Sequence, residues 1–284
     1  GLEVPIKTNS GKVRSNGVDI SLDIEHSFNK DFWMTGRGTF TYAINKILQK
    51  DEPNYRDSYR SQIGYSTTQR WGLVAERLFV DQLEIESSPK QFDGNYLPGD
   101  IKYKDINGDG VVNSEDQIPM GWPTSPQIQY GFGMSTGYRK FDFSFFFQGN
   151  ANVSFFINSG SGDGIAPFVN RRNALKIVAR DYWSETNPNV HAFWPRLSVT
   201  NVSNNTQQSS WWLRNNSFLR LKTIEMGYNF SSLKKIGIEK IRLYFTGENF
   251  FLLSQFKLWD PEQGSNGLGY PLTRKFNLGF QVSF

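Results

Sequence analysis

The chain has 284 residues and no cysteine, with 31 Lys and Arg against 27 Asp and Glu, for a net charge of +4 and a pI near 9.1. The missing cysteine excludes a disulfide framework and a thiolate metal site, and the mild charge, dispersed without a basic block, argues against nucleic-acid binding. No apolar run reaches the ~18 residues of a membrane-spanning helix, which excludes a helical membrane protein but leaves a membrane β-barrel, whose strands need only about ten residues of alternating character.

Aromatic content is the anomaly, since 24 Phe, 12 Tyr and 8 Trp make up 15% of a chain that is only 38% hydrophobic. Large rings beside abundant Asn, Ser, Thr and Gly suit strands with one greasy and one wet face. The opening GLEVPIKTNSGK lacks the apolar core of a signal peptide, so the expectation is either a cytosolic chain or one whose start lies inside a longer precursor.

The first predicted strand is VDISLDIEHSF (18–28), where Val18, Ile20, Leu22, Ile24 and Phe28 oppose Asp19, Ser21, Asp23, Glu25 and Ser27. A second follows over 32–42, and then a long connection from 43 to 127. The third strand, IQYGFGMSTGY, aligns Ile128, Tyr130, Phe132, Met134 and Tyr138. In the fourth, FDFSFFFQG, Phe141, Phe143, Phe145 and Phe147 oppose Asp142, Ser144 and Gln148, with Phe146 breaking the polar face. In the second long connection (150–217), NRRNALKIVARDYW predicts a helix with Ala174, Leu175, Val178 and Tyr182 on one stripe. Strands over 218–230 and 240–250, a third long connection (251–273) and the closing FNLGFQVSF complete the pattern.

About seven long strands joined alternately by short turns and long loops describe the wall of an outer-membrane-type barrel. Rings near strand ends (Phe28, Phe32, Trp33, Tyr138, Phe141, Tyr228, Phe230) fit aromatic girdles. A soluble β-sandwich also alternates, but it rarely carries connections of ~60 to 80 residues.

Within the first connection, DINGDGVVNSED (105–116) has the spacing of a calcium loop of the EF-hand type, which takes ligands at positions 1, 3, 5, 7, 9 and 12 with Gly at 6. These fall on Asp105, Asn107, Asp109, the Val111 carbonyl, Asn113 and Asp116, with Gly110 in place. Asp116 is one methylene shorter than the usual Glu, and Glu115 is a possible substitute. The flanks, YLPGDIKYK and QIPMGWP, hold no helices, so the expected site is a free-standing structural calcium loop, against the bland reading of an Asx/Gly turn without metal.

Two histidines, His26 and His191, cannot make a zinc cluster or a convincing catalytic triad, and no enzymatic chemistry is expected. Asp260 and Glu262 flank a proline and read as a turn. Trp122, Trp183, Trp194, Trp211, Trp212 and Trp259 lie in or beside the long connections, where packing of loops on one another or on a partner is favoured over stacking on sugars.

At 99–121, GDIKYKDINGDGVVNSEDQIPMG, the chain resembles the SusC/RagA family of TonB-dependent outer-membrane transporters of Bacteroidota. The resemblance continues through 130–149, DYWSETNPN with WPRL (181–197), NNSFLRLKTIEMGYNF (215–230), GENFFLLSQFKLWDPE (247–262) and the terminal Phe284. It implies an all-β antiparallel barrel wall, the C-terminal strands of a barrel of about 22, with plug domain, TonB box and signal peptide absent from residues 1–284. It further implies import of oligosaccharides or peptides at the cell outer membrane. The implied partners are a SusD-like surface lipoprotein, TonB acting through a region outside this chain, the remaining portion of the transporter and outer-membrane lipid. The rival reading is a calcium-stabilised glycan-binding or adhesion β-protein without transport.

Overall fold

The computed structural model describes residues 9–92, 94–160, 164–168, 173–230 and 237–284. Its frame is one antiparallel sheet of seven strands in chain order: β1 (Lys12–Asn29), β2 (Phe32–Gln49), β3 (Ile128–Tyr138), β4 (Phe141–Ala151), β5 (Phe218–Phe230), β6 (Lys240–Ser254) and β7 (Lys275–Ser283). The all-β wall expected from alternation is therefore present, with all seven strands in their expected places.

Register aligns the greasy positions across the whole sheet. Phe141, Phe143, Phe145 and Phe147 of β4 stand opposite Tyr138, Thr136, Met134 and Phe132 of β3, and opposite Tyr228, Met226, Ile224 and Leu221 of β5. Because side chains alternate with period two, this register gathers every apolar set on one outward face. On β1 that face has no cover at all: Val18, Ile20, Leu22 and Ile24 are each more than half exposed. Four aliphatic side chains left open in a row are intelligible facing lipid and costly facing water.

The other face is polar and ion-paired. Arg37 on β2 bonds Asp23 on β1 at 2.6 Å, and Thr41 donates to Asp19 at 2.9 Å. Arg242 on β6 reaches both Asp142 on β4 and Glu225 on β5. Phe146, the ring expected on this face, lies over Gly131 and Gly133 of β3, where an added Cβ would come within 2.8 Å of the ring. The two glycines thus make room for an aromatic within the wall itself.

The short turns close one end. The β3–β4 hairpin has a two-residue loop in which Arg139 takes a φ of 55°, the twist such loops require. Rings line this end on the outward face: Phe28 stacks on Phe32 at 4.7 Å, Phe141 meets Tyr228 at 4.8 Å, and Tyr228 meets Phe230 at 4.8 Å. Trp33 is a correction to the girdle. Adjacent to outward Phe32, it must point inward, and its indole lies over Gly137.

Two expected boundaries also shift. The β1 and β2 strands run 18 residues each, well beyond the 9–11 that span a bilayer, so the hairpin projects outward and the first connection begins at 50 rather than 43. The projecting end holds that connection: Ile47 N–H donates to Tyr65 O at 2.8 Å, and Asn45 Oδ1 accepts from Thr67 N–H at 2.8 Å. The helix expected near 170–182 is a single turn, Lys176–Arg180, and residues 170–172 of that prediction lie outside the described residues. Its stripe nevertheless packs inward, with Val178 fully buried and Ala174, Leu175 and Tyr182 against the same core.

That core belongs to the connections, not to the sheet. Leu73, Leu78, Ile101, Tyr103, Val112, Phe155, Val178, Trp183, Trp194 and Trp212 form one buried cluster above the long-loop end. Backbone bonds weld the connections together, including Leu73 N–H to Gln208 O and Leu78 N–H to Val190 O, both 2.9 Å. Gly99, at φ +84°, lets the Trp183 ring rest on the backbone, where a Cβ would come within 2.2 Å.

Candidate functional site

The acidic loop 105–116 is a chain of local caps. Asp105 accepts Gly108 N–H at 2.7 Å and Gly110 N–H at 2.8 Å, while Asn107 Oδ1 accepts Asp109 N–H at 2.9 Å. Asp109 accepts Val111 N–H at 2.8 Å through one oxygen and the Asn107 amide at 3.0 Å through the other. Asn113 and Asp116 form a reciprocal capping box around a short 3₁₀ turn. Asp116 is fully buried and also accepts Ile106 N–H at 2.8 Å. Glu115, the alternative twelfth-position ligand, is instead paired with Arg60 at 2.8 Å.

Among the described residues no three His, Asp or Glu side chains converge as a metal cluster. The oxygens of Asp105, Asn107 and Asp109 are nevertheless the hard donor type that calcium selects, and Gly110 at φ +87° makes the sharp turn needed at position six.

A polar network that the sequence reading missed ties this connection to the next. Gln91 donates to Ile101 O at 2.9 Å and to Asn204 Oδ1 at 2.8 Å; Asn205 Oδ1 accepts Ile101 N–H, and its amide donates to Asp100. Trp212 Nε1 donates to Asn205 O at 2.8 Å. The signal was the pair Asn204 and Asn205 in an otherwise unremarkable VSNNTQ, whose partners lie about a hundred residues away. Burial pushes the Asp100 carboxyl above its ordinary value despite Arg196 at 2.9 Å, so this pair locks the loops at a desolvation cost. At the cap's edge burial opposes ionisation of Glu84, but the Val80 N–H, Lys102 and Arg77 prevail and hold it at about 2.

Of the loop tryptophans, Trp183, Trp194 and Trp212 are buried in the shared core, Trp211 and Trp259 pack against it, and Trp122 stays exposed. Loop-on-loop packing is thus what most of them do. Asp260 and Glu262 do flank a turn, with Asp260 capping Glu262 N–H at 3.0 Å, but both also grip Arg220 of β5. Arg220 is only 3% exposed, with Asp260 at 2.6 Å and Glu262 at 2.8 Å.

This grip shapes a cleft on the polar side of the wall beneath the loops. One wall is the outer end of the sheet, with Gln129, Gln148 and Asn150, and the other is the 261–265 segment that Arg220 holds. Two cavities of about 530 and 370 Å³ adjoin here, sharing Arg70, Thr124, Phe155 and Ser265 in their walls.

No family model matches the chain. It is 28% identical over 304 residues to the TonB-dependent receptor P26 of Formosa agariphila, covering 97% of this chain and 30% of that protein. It is 26% identical over 291 residues to the TonB-dependent receptor SusC of Bacteroides thetaiotaomicron, covering 97% and 27%. Among solved structures, the RagAB peptide transporter superposes with a TM-score of 0.69 at 20% identity, over 97% of this chain and 30% of that one. The chain therefore spans about a third of the length of the relatives it matches.

The likeness to the SusC/RagA family read from the motifs is the one these comparisons find, and the fold is that of the barrel wall in such transporters. Proteins of this kind are receptors and transporters of the outer membrane, not enzymes, and the seven strands belong in that membrane.

Proposed function

We propose that this chain forms part of the wall and external mouth of a TonB-dependent transporter that imports oligosaccharides or peptides, working beneath a SusD-like surface lipoprotein. The observation that carries the reading is the union of a lipid-facing apolar sheet with a separately packed cap of loops at one end only. A rigid external cap over a polar inner face suits capture followed by passage, and the similarity to SusC and to the RagAB peptide transporter supports the same role. In this reading the energy-coupling and plugging functions belong to the rest of the transporter.

The test is uptake by cells expressing the full-length protein with and without TonB. Labelled oligosaccharide or peptide should enter only when TonB is present. Surface binding with no TonB-dependent uptake would leave the adhesion or glycan-binding alternative in its place.

The acidic loop has a structural role in the same reading, as a calcium site using Asp105, Asn107, Asp109, the Val111 carbonyl, Asn113 and Asp116. Its support is the oxygen donor spacing together with the conformation of Gly110. Asp116 serves three backbone N–H groups and is one methylene shorter than the usual Glu, so affinity should fall at about 10⁻⁵ to 10⁻³ M. Asp105→Ala with Asp109→Ala should abolish calcium binding by calorimetry, raise protease cleavage within 95–120 and weaken lipoprotein docking, leaving barrel assembly unchanged. Calcium binding that survives the double substitution would remove the site from this loop.

A further inference from the structure

We infer that Arg14 and Lys46, on the outward face of the β1–β2 hairpin just above the apolar band, hold the phosphate of a phosphorylated glycolipid in the outer leaflet. The inference needs only the position of the strands in the outer membrane and is independent of what the transporter carries.

Register places the two cations. Asp19 and Asp23 accept from Thr41 and Arg37 on the inward face, so the even-numbered residues of β1 and β2 face outward. Arg14 and Lys46 are direct cross-strand partners there, both exposed, in the part of the hairpin that projects beyond the bilayer. Like charges directly opposite one another destabilise a strand pair. Neither side chain makes a hydrogen bond or an ion pair among the described residues.

Charge is sorted between the two faces. The acids of the hairpin strands, Asp19, Asp23 and Glu25, all face inward. Residues 122–127, which reach the projecting end where Gln127 O accepts Ala43 N–H, carry no charge. An outward face with two adjacent cations and no carboxylate is complementary to an anion. A guanidinium beside an ammonium suits phosphate, because Arg can pair with two oxygens at once while Lys adds a point charge.

The height of the pair selects the lipid. Ten residues separate Phe28 of the ring girdle from Val18, where the aliphatic row of β1 ends opposite Tyr42. At ~3.3 Å per residue and a tilt of about 40°, they rise about 25 Å, the height of a barrel's apolar band. Arg14 lies four residues further along β1, about 10 Å above that edge. A phosphate borne directly on glycerol sits within a headgroup layer of roughly 5 to 8 Å on each side, below the pair. A sugar between acyl chains and phosphate supplies the missing height. Asn16, also outward, lies between Val18 and Arg14 at the level of that sugar, where its amide can both donate and accept. Below it Val18, Ile20 and Phe40 stay exposed, so phosphate and acyl chains meet one continuous surface.

The test titrates full-length transporter in detergent with three probes: lipid A bearing its phosphate, the same lipid A after phosphatase treatment, and phosphatidylglycerol. Native mass spectrometry reads the bound fraction of each. Phosphorylated lipid A should bind at least tenfold more tightly than either of the others. Arg14→Gln with Lys46→Gln should abolish that preference, whereas Arg14→Lys with Lys46→Arg, which keeps both charges, should retain it. Lys30→Gln with Lys140→Gln, at the short-turn end, should leave it unchanged. Heat-modifiable migration on electrophoresis verifies that each variant barrel is folded. Equal binding of the dephosphorylated lipid would overturn phosphate recognition, and equal binding of phosphatidylglycerol would overturn the choice of a glycolipid. Unchanged binding in the Gln double variant would remove the site from this hairpin, as would a full-length structure in which a carboxylate from the rest of the transporter pairs with Arg14.

Discussion

Phe143→Arg is expected to block assembly of the barrel wall, whereas Ser144→Arg one residue later is expected to be tolerated. Phe143 lies on the outward face in register with Thr136 of β3 and Met226 of β5, amid the rings of Phe141 and Phe145. An Arg on the lipid face of a barrel costs about 2 to 4 kcal/mol at the midplane, roughly thirtyfold to eight-hundredfold in the folding equilibrium. Ser144 faces inward opposite Ser135 and Glu225, so a guanidinium there meets water and a carboxylate. The measurement is the yield of heat-resistant folded barrel in the full-length protein. Equal losses for the two variants would refute the assignment of faces.

Trp212→Ala should loosen the external loops and leave the barrel standing. The indole is fully buried, meets Trp194 at 5.2 Å and Phe193 at 6.1 Å between ring centroids, and donates to Asn205 O. Removing a buried Trp costs about 3 to 5 kcal/mol through lost burial and the cavity left behind. Here the loss also exposes the Asn205 carbonyl and, through it, the network reaching Asp100 and Gln91. Limited proteolysis should therefore show new cuts within 50–127 and 152–217, with heat-resistant migration of the barrel retained. An unchanged digestion pattern would mean that the connections do not depend on a shared core.

The cap and the wall should thus fail independently, because different forces hold them. The wall takes its stability from ladder bonds and lipid contact, and the cap from its own apolar core.

By itself the sequence determined the wall. Alternation has a period of two wherever a strand has one greasy face, so VDISLDIEHSF and FDFSFFFQG declare their strands, their faces and, through the short turns, their neighbours. Family-like motifs carried the rest of that inference. Tertiary structure alone decided the cap and the cleft. Asn204 meets Gln91 across 113 residues, Asn205 meets Asp100 across 105, and Arg220 meets Asp260 across 40. Trp33 and Phe146 show the same limit at short range. Their facing follows from the register, but the glycines that receive their rings lie on another strand. A local pattern reports the environment each residue needs, whereas which distant residue provides it depends on how loops of 60 residues or more close upon one another, and no periodicity encodes that closure.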